Sequence, residues 1–196
     1  LDAIDAHLAA AGTDRAHVLT AHVWLRDMAR FQEMNAAWNA WVNEDAPPSR
    51  TCVSGEPPDP GAQVEIVVTA RLPGPGLPAF ERYGLVRGPG RPSICLGIAC
   101  GDWFSVCMTA PDKSQDIAGQ TRQILERFDG FMAEAGTDRS RLLTAEIWLK
   151  RMSDIAAMNA VWNGWVDPAN PPVRACTRAD MSRPESLTGI RVSAAR

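Results

Sequence analysis

Apolar and polar residues follow a readable pattern in the second half of the chain. Two short apolar runs, over 93–99 and 103–108, predict strands that meet at a turn over 100–102. Residues 112–135 then carry an apolar stripe at intervals of three and four, which predicts an amphipathic helix ending at Gly136. The stripe consists of Ile117, Ile124, Leu125, Phe128, Phe131 and Met132.

The same pattern continues to the end of the chain. It predicts a strand over 142–150, a second helix over 154–166, and two closing strands over 174–179 and 187–194. A proline-rich stretch between the second helix and the first closing strand ends that helix. The order β-β-α-β-α-β-β predicts an α+β fold in which a β-sheet carries two helices packed on one face.

The first part of the chain repeats part of this pattern. Residues 1–72 repeat as 125–196 without a gap, with roughly 40% of the paired positions identical. The repeated unit is longer than a solenoid repeat and has the size of a small domain. We therefore predict two tandem copies, a first copy over 1–72 and a fuller second copy over 82–196, joined by a Pro/Gly linker over 73–81.

The first copy has no counterpart of residues 82–124, which include the first strands of the second copy. A domain without these strands would expose a sheet edge and part of its core. We therefore expect the edge to be covered either by residues that precede Leu1 or by another chain.

Composition narrows the classes of function. The formal net charge of −3 gives no basic footprint for nucleic acid or an anionic membrane, and no apolar run reaches the roughly 18 residues of a membrane span. Five cysteines without CxxC spacing favour a reducing compartment, the cytoplasm, over a disulfide framework or a zinc site. Because His7, His17 and His22 have no counterparts in the second copy, we expect no repeated metal site and no cofactor.

One repeated motif could carry chemistry. Pro47-Pro48-Ser49-Arg50-Thr51-Cys52 returns as Pro171-Pro172-Val173-Arg174-Ala175-Cys176. In each copy an arginine enters a strand after a stiff double proline, and alternation puts the arginine and the cysteine on one face. The guanidinium fork suits a carboxylate ligand. The spacing alone favours a structural ion pair, and the presence of the motif in both copies makes the two interpretations about equal. Cys52 and Cys176 are either part of the binding site or small buried side chains.

These residues resemble a known family. The blocks in their order, at family spacing, are similar to the RidA/YjgF family of imine deaminases, and the resemblance covers the second copy and the C-terminal two-thirds of the first. The blocks are Ala135-Gly136-Thr137-Asp138-Arg139, Met158-Asn159-Ala160-Val161-Trp162 and Pro171-Pro172-Val173-Arg174-Ala175-Cys176. The resemblance implies a chorismate-mutase-like α+β fold, trimer-like packing of domains in a homo-oligomer, and ligand clefts between neighbouring domains.

The resemblance also implies an activity. Family members hydrolyse small carboxylate-bearing enamines and imines to 2-oxo acids and ammonia. The family arginine that holds the substrate carboxylate maps to Arg50 and Arg174, and the glutamate that helps to position the attacking water maps to Glu65. The family asparagine near the cleft maps to Asn35 and Asn159, which could equally be helix residues that hydrogen-bond a neighbouring loop.

The sequence departs from the family pattern at several positions. Gly189 occupies the glutamate position of the second copy, and the N-terminal tyrosine of many members is absent around Ser93. Larger side chains, Val106 and Cys107, stand where the family has a small-Gly pair in the second strand. We therefore expect hydrolysis to depend on Arg50 and Glu65, and the Arg174 site at most to bind ligand.

Two other classes of function stay open at this point. The alternative to a deaminase is a diverged, non-catalytic protein of the same fold that binds small carboxylates. Nuclease activity is attached to some family members by name, but the acidic charge and the lack of a histidine shared by both copies argue against it.

Overall fold

The computed structural model describes all 196 residues, and the chain divides into two compact units, Leu1–Gly101 and Asp102–Arg196. These units differ from the two sequence copies. Residues 82–101 belong to the second copy along the sequence, but they fold with the first copy in unit 1. Unit 1 therefore shows how one copy contacts a segment of the other.

Unit 1 contains two helices and five strands. The helices are α1 (Asp2–Ala10) and α2 (Phe31–Trp41), and the strands are β1 (Val18–Leu25), β2 (Ser49–Ser54), β3 (Val64–Ala70), β4 (Glu81–Val86) and β5 (Ile94–Cys100). Strand β1 pairs in parallel with β2 and antiparallel with β3, which leaves β3 as an edge strand. Strand β5 pairs antiparallel with β4 and meets β2 in parallel at Ser49 and Cys95.

The core of unit 1 joins residues of both copies. Ile94 of β5 packs with apolar residues of the first copy, so the second-copy strand is part of the same hydrophobic core. The first-copy members of this cluster are Leu8, Val18, Ala21, Trp38, Trp41 and Val42.

Unit 2 contains two helices and four strands. The helices are α3 (Ile117–Glu134) and α4 (Ile155–Trp165), and the strands are β6 (Trp103–Thr109), β7 (Leu142–Leu149), β8 (Val173–Arg178) and β9 (Thr188–Ala195). Strand β9 lies between β6 and β7 and is antiparallel to both, and β7 pairs in parallel with β8. Helix α3 packs on α4 and contacts β6 and β9. The predicted α+β fold with two helices on the sheet is confirmed.

Most predicted elements agree with the observed ones to within one residue, and two larger differences occur. The helix predicted over 112–135 begins at Ile117, because the Asp116 carboxylate caps it by accepting a hydrogen bond from the Gly119 N–H (2.8 Å). Strand β4 was not anticipated from the pattern. It is short and carries Gly84 at φ +62°, and a glycine inside a strand weakens the signal that propensity gives.

The two copies keep one structural cluster unchanged. In unit 1 the Arg15 guanidinium donates to the Asp5 carboxylate (2.6 and 2.7 Å), which also accepts from the Trp41 indole N–H (3.0 Å). Unit 2 has the same contacts among Arg139, Asp129 and Trp165, at 2.6–3.0 Å. The cluster joins the end of the second helix to the first helix in each copy. Its presence in both copies is therefore explained by a structural role. None of the four helices has the length and apolarity that a membrane span requires.

Candidate functional site

The first candidate site surrounds Arg50 at the start of β2. The double proline leads the chain into this strand, where Arg50 lies beside Ala21 of β1. The Arg50 guanidinium donates to the Asn35 side-chain oxygen of α2 (2.6 Å) and stacks over the Trp38 ring at 4.9 Å. Only 5% of Arg50 is exposed, so the charge is held under the helix by an amide and an aromatic face.

A segment of the second copy closes this site. The Cys95 N–H donates to the carbonyl of Pro48 (3.1 Å), and the Ser49 hydroxyl donates to the carbonyl of Leu96 (3.0 Å). From α2, the Trp38 indole donates to the carbonyl of Ser93 (3.0 Å). These contacts bury β2 from Ser49 to Thr51 and leave the Arg50 guanidinium shielded from solvent.

Two further side chains strengthen this contact. The Asn39 side chain accepts from the Ser93 N–H (2.8 Å) and donates to the carbonyl of Arg91 (2.9 Å). The Arg82 guanidinium donates to the carbonyl of Pro47 (3.0 Å), and its burial there lowers the pKa of Arg82. Together they fix this part of the second copy, residues 82–101, against the end of β2, and we call it the docked segment.

The second candidate site, at Arg174, repeats these residues in an open setting. Arg174 lies beside Ala145 of β7, as Arg50 lies beside Ala21. Its guanidinium donates to the Asn159 side-chain oxygen (2.8 Å) and stands over the Trp162 ring at 5.5 Å. Arg174 is exposed and Asn159 is only partly buried. The same three residues are therefore pre-oriented at a surface that solvent reaches.

The glutamate does not join either arginine within a unit. Glu65 lies beside Trp24 of β1, and Arg50 lies beside Ala21. Trp24 and Ala21 are three positions apart, so alternation places Glu65 and Arg50 on opposite faces of the sheet. Arg50 and Glu65 therefore do not share one face of the sheet in unit 1.

In unit 2 the corresponding position holds no carboxylate. Gly189 lies beside Trp148 in the same register, and a Cβ on this glycine would meet Met181 and Trp148 at 3.7 Å. These are ordinary contact distances, and Gly189 itself is buried. Val106 and Cys107 of β6 are buried as well, so they do not line an open cleft.

The two cysteines lie two positions after the arginines. Burial raises the pKa of the Cys52 thiol to about 12, and the nearby Arg50 charge offsets this only in part. Burial also raises the pKa of Cys176. Both thiols therefore stay protonated near neutral pH, which argues against a nucleophilic role and leaves them as lining or packing groups. No group of three or more His, Cys, Asp or Glu residues is arranged to hold a metal ion.

The sequence analysis assigned Asn35 and Asn159 to the site, but not Trp38 and Asn39 of α2 or their counterparts in α4. Trp38 and Asn39 contact the docked segment in unit 1, and Trp162 and Asn163 occupy the same positions in unit 2. The signal was available, because both residues are identical in the two copies. Their contact with a strand distant in sequence could not be inferred from helical spacing.

The family model for endoribonuclease L-PSP matches the chain over residues 1–72 and 106–196. The chain is also similar to a RutC family protein from Haemophilus ducreyi, with 39% identity over 84 residues, which cover 43% of this chain and 72% of the relative. The RutC family protein YoaB of Escherichia coli is 34% identical over 80 residues, 41% of this chain and 70% of the relative.

Solved structures show the same similarity. An uncharacterized protein from Pseudomonas aeruginosa is 33% identical, with a TM-score of 0.55 and coverage of 60% of this chain and 99% of that protein. A YjgF family member from Neisseria meningitidis is 29% identical, also with a TM-score of 0.55, covering 60% of this chain and 95% of that protein. The similarity therefore extends over nearly the full length of each of these proteins.

Proposed function

Because the chain belongs to the endoribonuclease L-PSP family, in which the RidA- and YjgF-like motifs described above are found, we propose that it binds small carboxylate-bearing imines and hydrolyses them. In this reaction the oxygen of water bonds to the imine carbon, the C–N bond breaks after the nitrogen has taken up a proton, and a 2-oxo acid and ammonia leave. Because an imine carbon is already electrophilic, orienting the substrate and polarising the attacking water can suffice for hydrolysis.

The observation that carries the proposal is the Arg174–Asn159 pair. One N–H of the guanidinium donates to Asn159, which orients the fork, while the side chain stays exposed on β8. A fork held in this way matches the two oxygens of a carboxylate. Arg50 has the same partners but is 5% exposed, so Arg174 is the better carboxylate site in this arrangement. This reverses the roles expected for the two arginines from the sequence.

A second candidate function is carboxylate binding without turnover. Gly189 replaces the glutamate in the unit that contains Arg174, and Glu65 lies on the sheet face opposite to Arg50. Hydrolysis at Arg174 would then need a water-positioning group from outside unit 2. We propose Glu65 for this role only in an assembly that brings it to Arg174.

The assembly itself is part of the proposal. The docked segment in unit 1 buries the edge of β2, while the edge of β8 is open and Val173 is 78% exposed. Trp162, Asn163 and the double proline before β8 repeat the residues that hold the segment in unit 1. We propose a homo-oligomer in which β8 is covered in a similar way, with trimer-like packing of domains.

The test is an assay with a freshly generated imine of the 2-aminoacrylate type. We expect ammonia release above the uncatalysed rate, and a loss of roughly tenfold to a hundredfold in carboxylate affinity for Arg174→Ala. Glu65→Gln should lower turnover with carboxylate binding intact if Glu65 positions water. Binding without turnover in the unmodified protein would establish the second candidate.

RNA cleavage is the competing activity suggested by the name of the matching family. The net charge of −3 supplies no basic surface for a phosphate backbone, and the three histidines have no counterparts in the second copy. Incubating the same preparation with single-stranded RNA separates the two activities. Cleavage that survives Arg174→Ala would contradict the proposal.

A further inference from the structure

Strand β8 carries a second arginine on the face that holds Arg174. In the parallel pairing with β7, Arg174 lies beside Ala145 and Arg178 lies beside Leu149. Both partners on β7 are at most 1% exposed, and Arg174 contacts Asn159 of α4, so both arginines lie on the helix side of the sheet. Four positions along a strand separate the two Cα atoms by about 13 Å. Two long, flexible side chains at this spacing can reach the two ends of one small ligand.

The two arginines differ in the groups that they contact. The Arg174 guanidinium donates to a neutral amide, the side chain of Asn159, at 2.8 Å. Arg178 donates through Nη2 to the Asp180 carboxylate at 3.2 Å, and its side chain is 61% exposed. An exposed ion pair of this kind contributes little to stability. Another anion can therefore compete with Asp180 for Arg178.

The surroundings of Arg178 are more basic than the same positions of unit 1. Exposed arginines of unit 2 replace acidic or neutral residues of unit 1 at Arg151, Arg178 and Arg183, where unit 1 has Asp27, Ser54 and Asp59. Two acidic replacements, Asp154 and Glu185, offset part of this gain in positive charge. The gain occurs in the unit whose motif arginine is open to solvent, and it favours a further anion close to Arg174.

The residue between the two arginines is compatible with such an anion. Cys176 lies on the same face of β8 and is partly buried. Burial raises the pKa of its thiol, so this side chain is neutral near pH 7. A carboxylate or a thiolate at this position would repel a ligand with two negative charges, whereas a neutral thiol does not.

From the placement and the charge of these residues we infer that Arg178 is a second anion subsite beside Arg174, and that the preferred ligand is a dicarboxylate. Arg174 holds the carboxylate next to the imine carbon. Arg178 exchanges its bond to Asp180 for a bond to the carboxylate at the far end of the substrate. The substrate class is therefore the imines of amino acids with an acidic side chain. This inference rests on the function proposed above, because it takes Arg174 as the site of the first carboxylate.

The test compares two ligands of equal carbon-chain length that differ only at the far end. 2-Oxopentanedioate carries a second carboxylate where 2-oxopentanoate ends in a methyl group, and both resemble the 2-oxo acid product. Isothermal titration calorimetry of the full chain at low ionic strength should show about fivefold tighter binding of the diacid, which is the size expected for an exposed ion pair. Arg178→Gln should abolish this preference and leave the affinity for the monoacid unchanged.

Two further variants locate the effect. Arg151 is the matched control, because its side chain is also 61% exposed and also pairs with an aspartate, but it does not lie on β8. Arg151→Gln should keep the preference for the diacid. Asp180→Asn should increase it, because the ligand then no longer competes with a carboxylate for Arg178. Equal binding of the two acids by the unmodified protein, or equal loss of the preference in Arg151→Gln and Arg178→Gln, would overturn the inference.

Arg174→Ala separates this inference from the proposed function. If this variant loses binding of both acids, Arg174 is supported as the first carboxylate site, and the preference for the diacid then decides the inference alone. Binding of neither acid by the unmodified protein, or binding of the diacid that survives Arg174→Ala, would contradict both. A preference for the diacid without turnover of any imine would contradict hydrolysis and support the second subsite.

Discussion

Strands β2 and β8 carry the same motif and lie in opposite surroundings. In unit 1 Ser49 and Arg50 are nearly fully buried. The arginine is enclosed by Asn35, Trp38 and strand β5 of the docked segment. In unit 2 every residue of β8 except Cys176 is exposed, and Arg174 faces solvent with the same two partners. The arginine, asparagine and tryptophan are constant, and the cover is what differs.

This comparison separates two reasons for which a residue occurs in both copies. The cluster of Asp5, Arg15 and Trp41 has the same contacts in unit 2, so its repetition is explained by the fold alone. Arg50 and Arg174 share contacts with their own helix but not their exposure. Identity across the copies therefore does not mean equal function, and the open arginine is the one that can meet a ligand.

The largest difference that we expect between the two strands is in thiol reactivity. With a pKa of about 12, Cys52 has on the order of a thousandfold less thiolate at pH 8 than a thiol at its ordinary value of 9.0. Burial also raises the pKa of Cys176, but this residue lies on the exposed strand β8. Iodoacetamide labelling followed by peptide mass spectrometry should therefore modify Cys176 well before Cys52. In denaturant both should react alike, and equal native rates would contradict the closed surroundings of β2.

The next largest effect concerns stability. Arg50→Ala removes a buried side chain that fills space over Trp38 and bonds Asn35, so we expect a loss of about 2–4 kcal/mol in the free energy of unfolding. Arg174→Ala removes an exposed side chain and should cost less than about 1 kcal/mol. Urea denaturation of the two variants beside the unmodified protein measures both values. Similar losses would mean that Arg174 is covered in solution.

The smallest expected effect tests the cover of β8. If copies of the chain associate through this edge, Val173→Asp should weaken association by roughly tenfold, because the carboxylate would be desolvated at the interface. Light scattering over a range of micromolar concentrations measures the change, and an exposed position elsewhere, Ala169→Asp, is the control. If the unmodified protein is a monodisperse monomer, the proposal of a homo-oligomer is wrong.

Much of the fold could be predicted because its signals are local. The apolar stripe of α3, the glycine at φ +74° that follows it and the strand patterns of unit 2 depend on residues near one another in sequence. The repeat extended these predictions to the first copy. Strand β4 was not predicted, because its central glycine and the exposed Leu85 are untypical of a strand. Its formation depends on pairing with β5.

The candidate site was only half predictable for a related reason. The pairing of Arg50 with Asn35 and of Arg174 with Asn159 follows from residues that the resemblance had already marked. The separation of Glu65 from Arg50 depends on the register of three strands, which spacing along the chain does not reveal. The difference in exposure between Arg50 and Arg174 likewise depends on contacts between residues distant in sequence, so which arginine binds ligand stays a prediction.

By itself the sequence determined the two copies, their α+β order, the family and the repeated arginine motif, because each is written in residue identity and local periodicity. Only the tertiary structure decided which arginine is closed, since that depends on where residues 82–101 pack, and they pack with the first copy in unit 1. Burial of this kind is a property of neighbours that are distant in sequence.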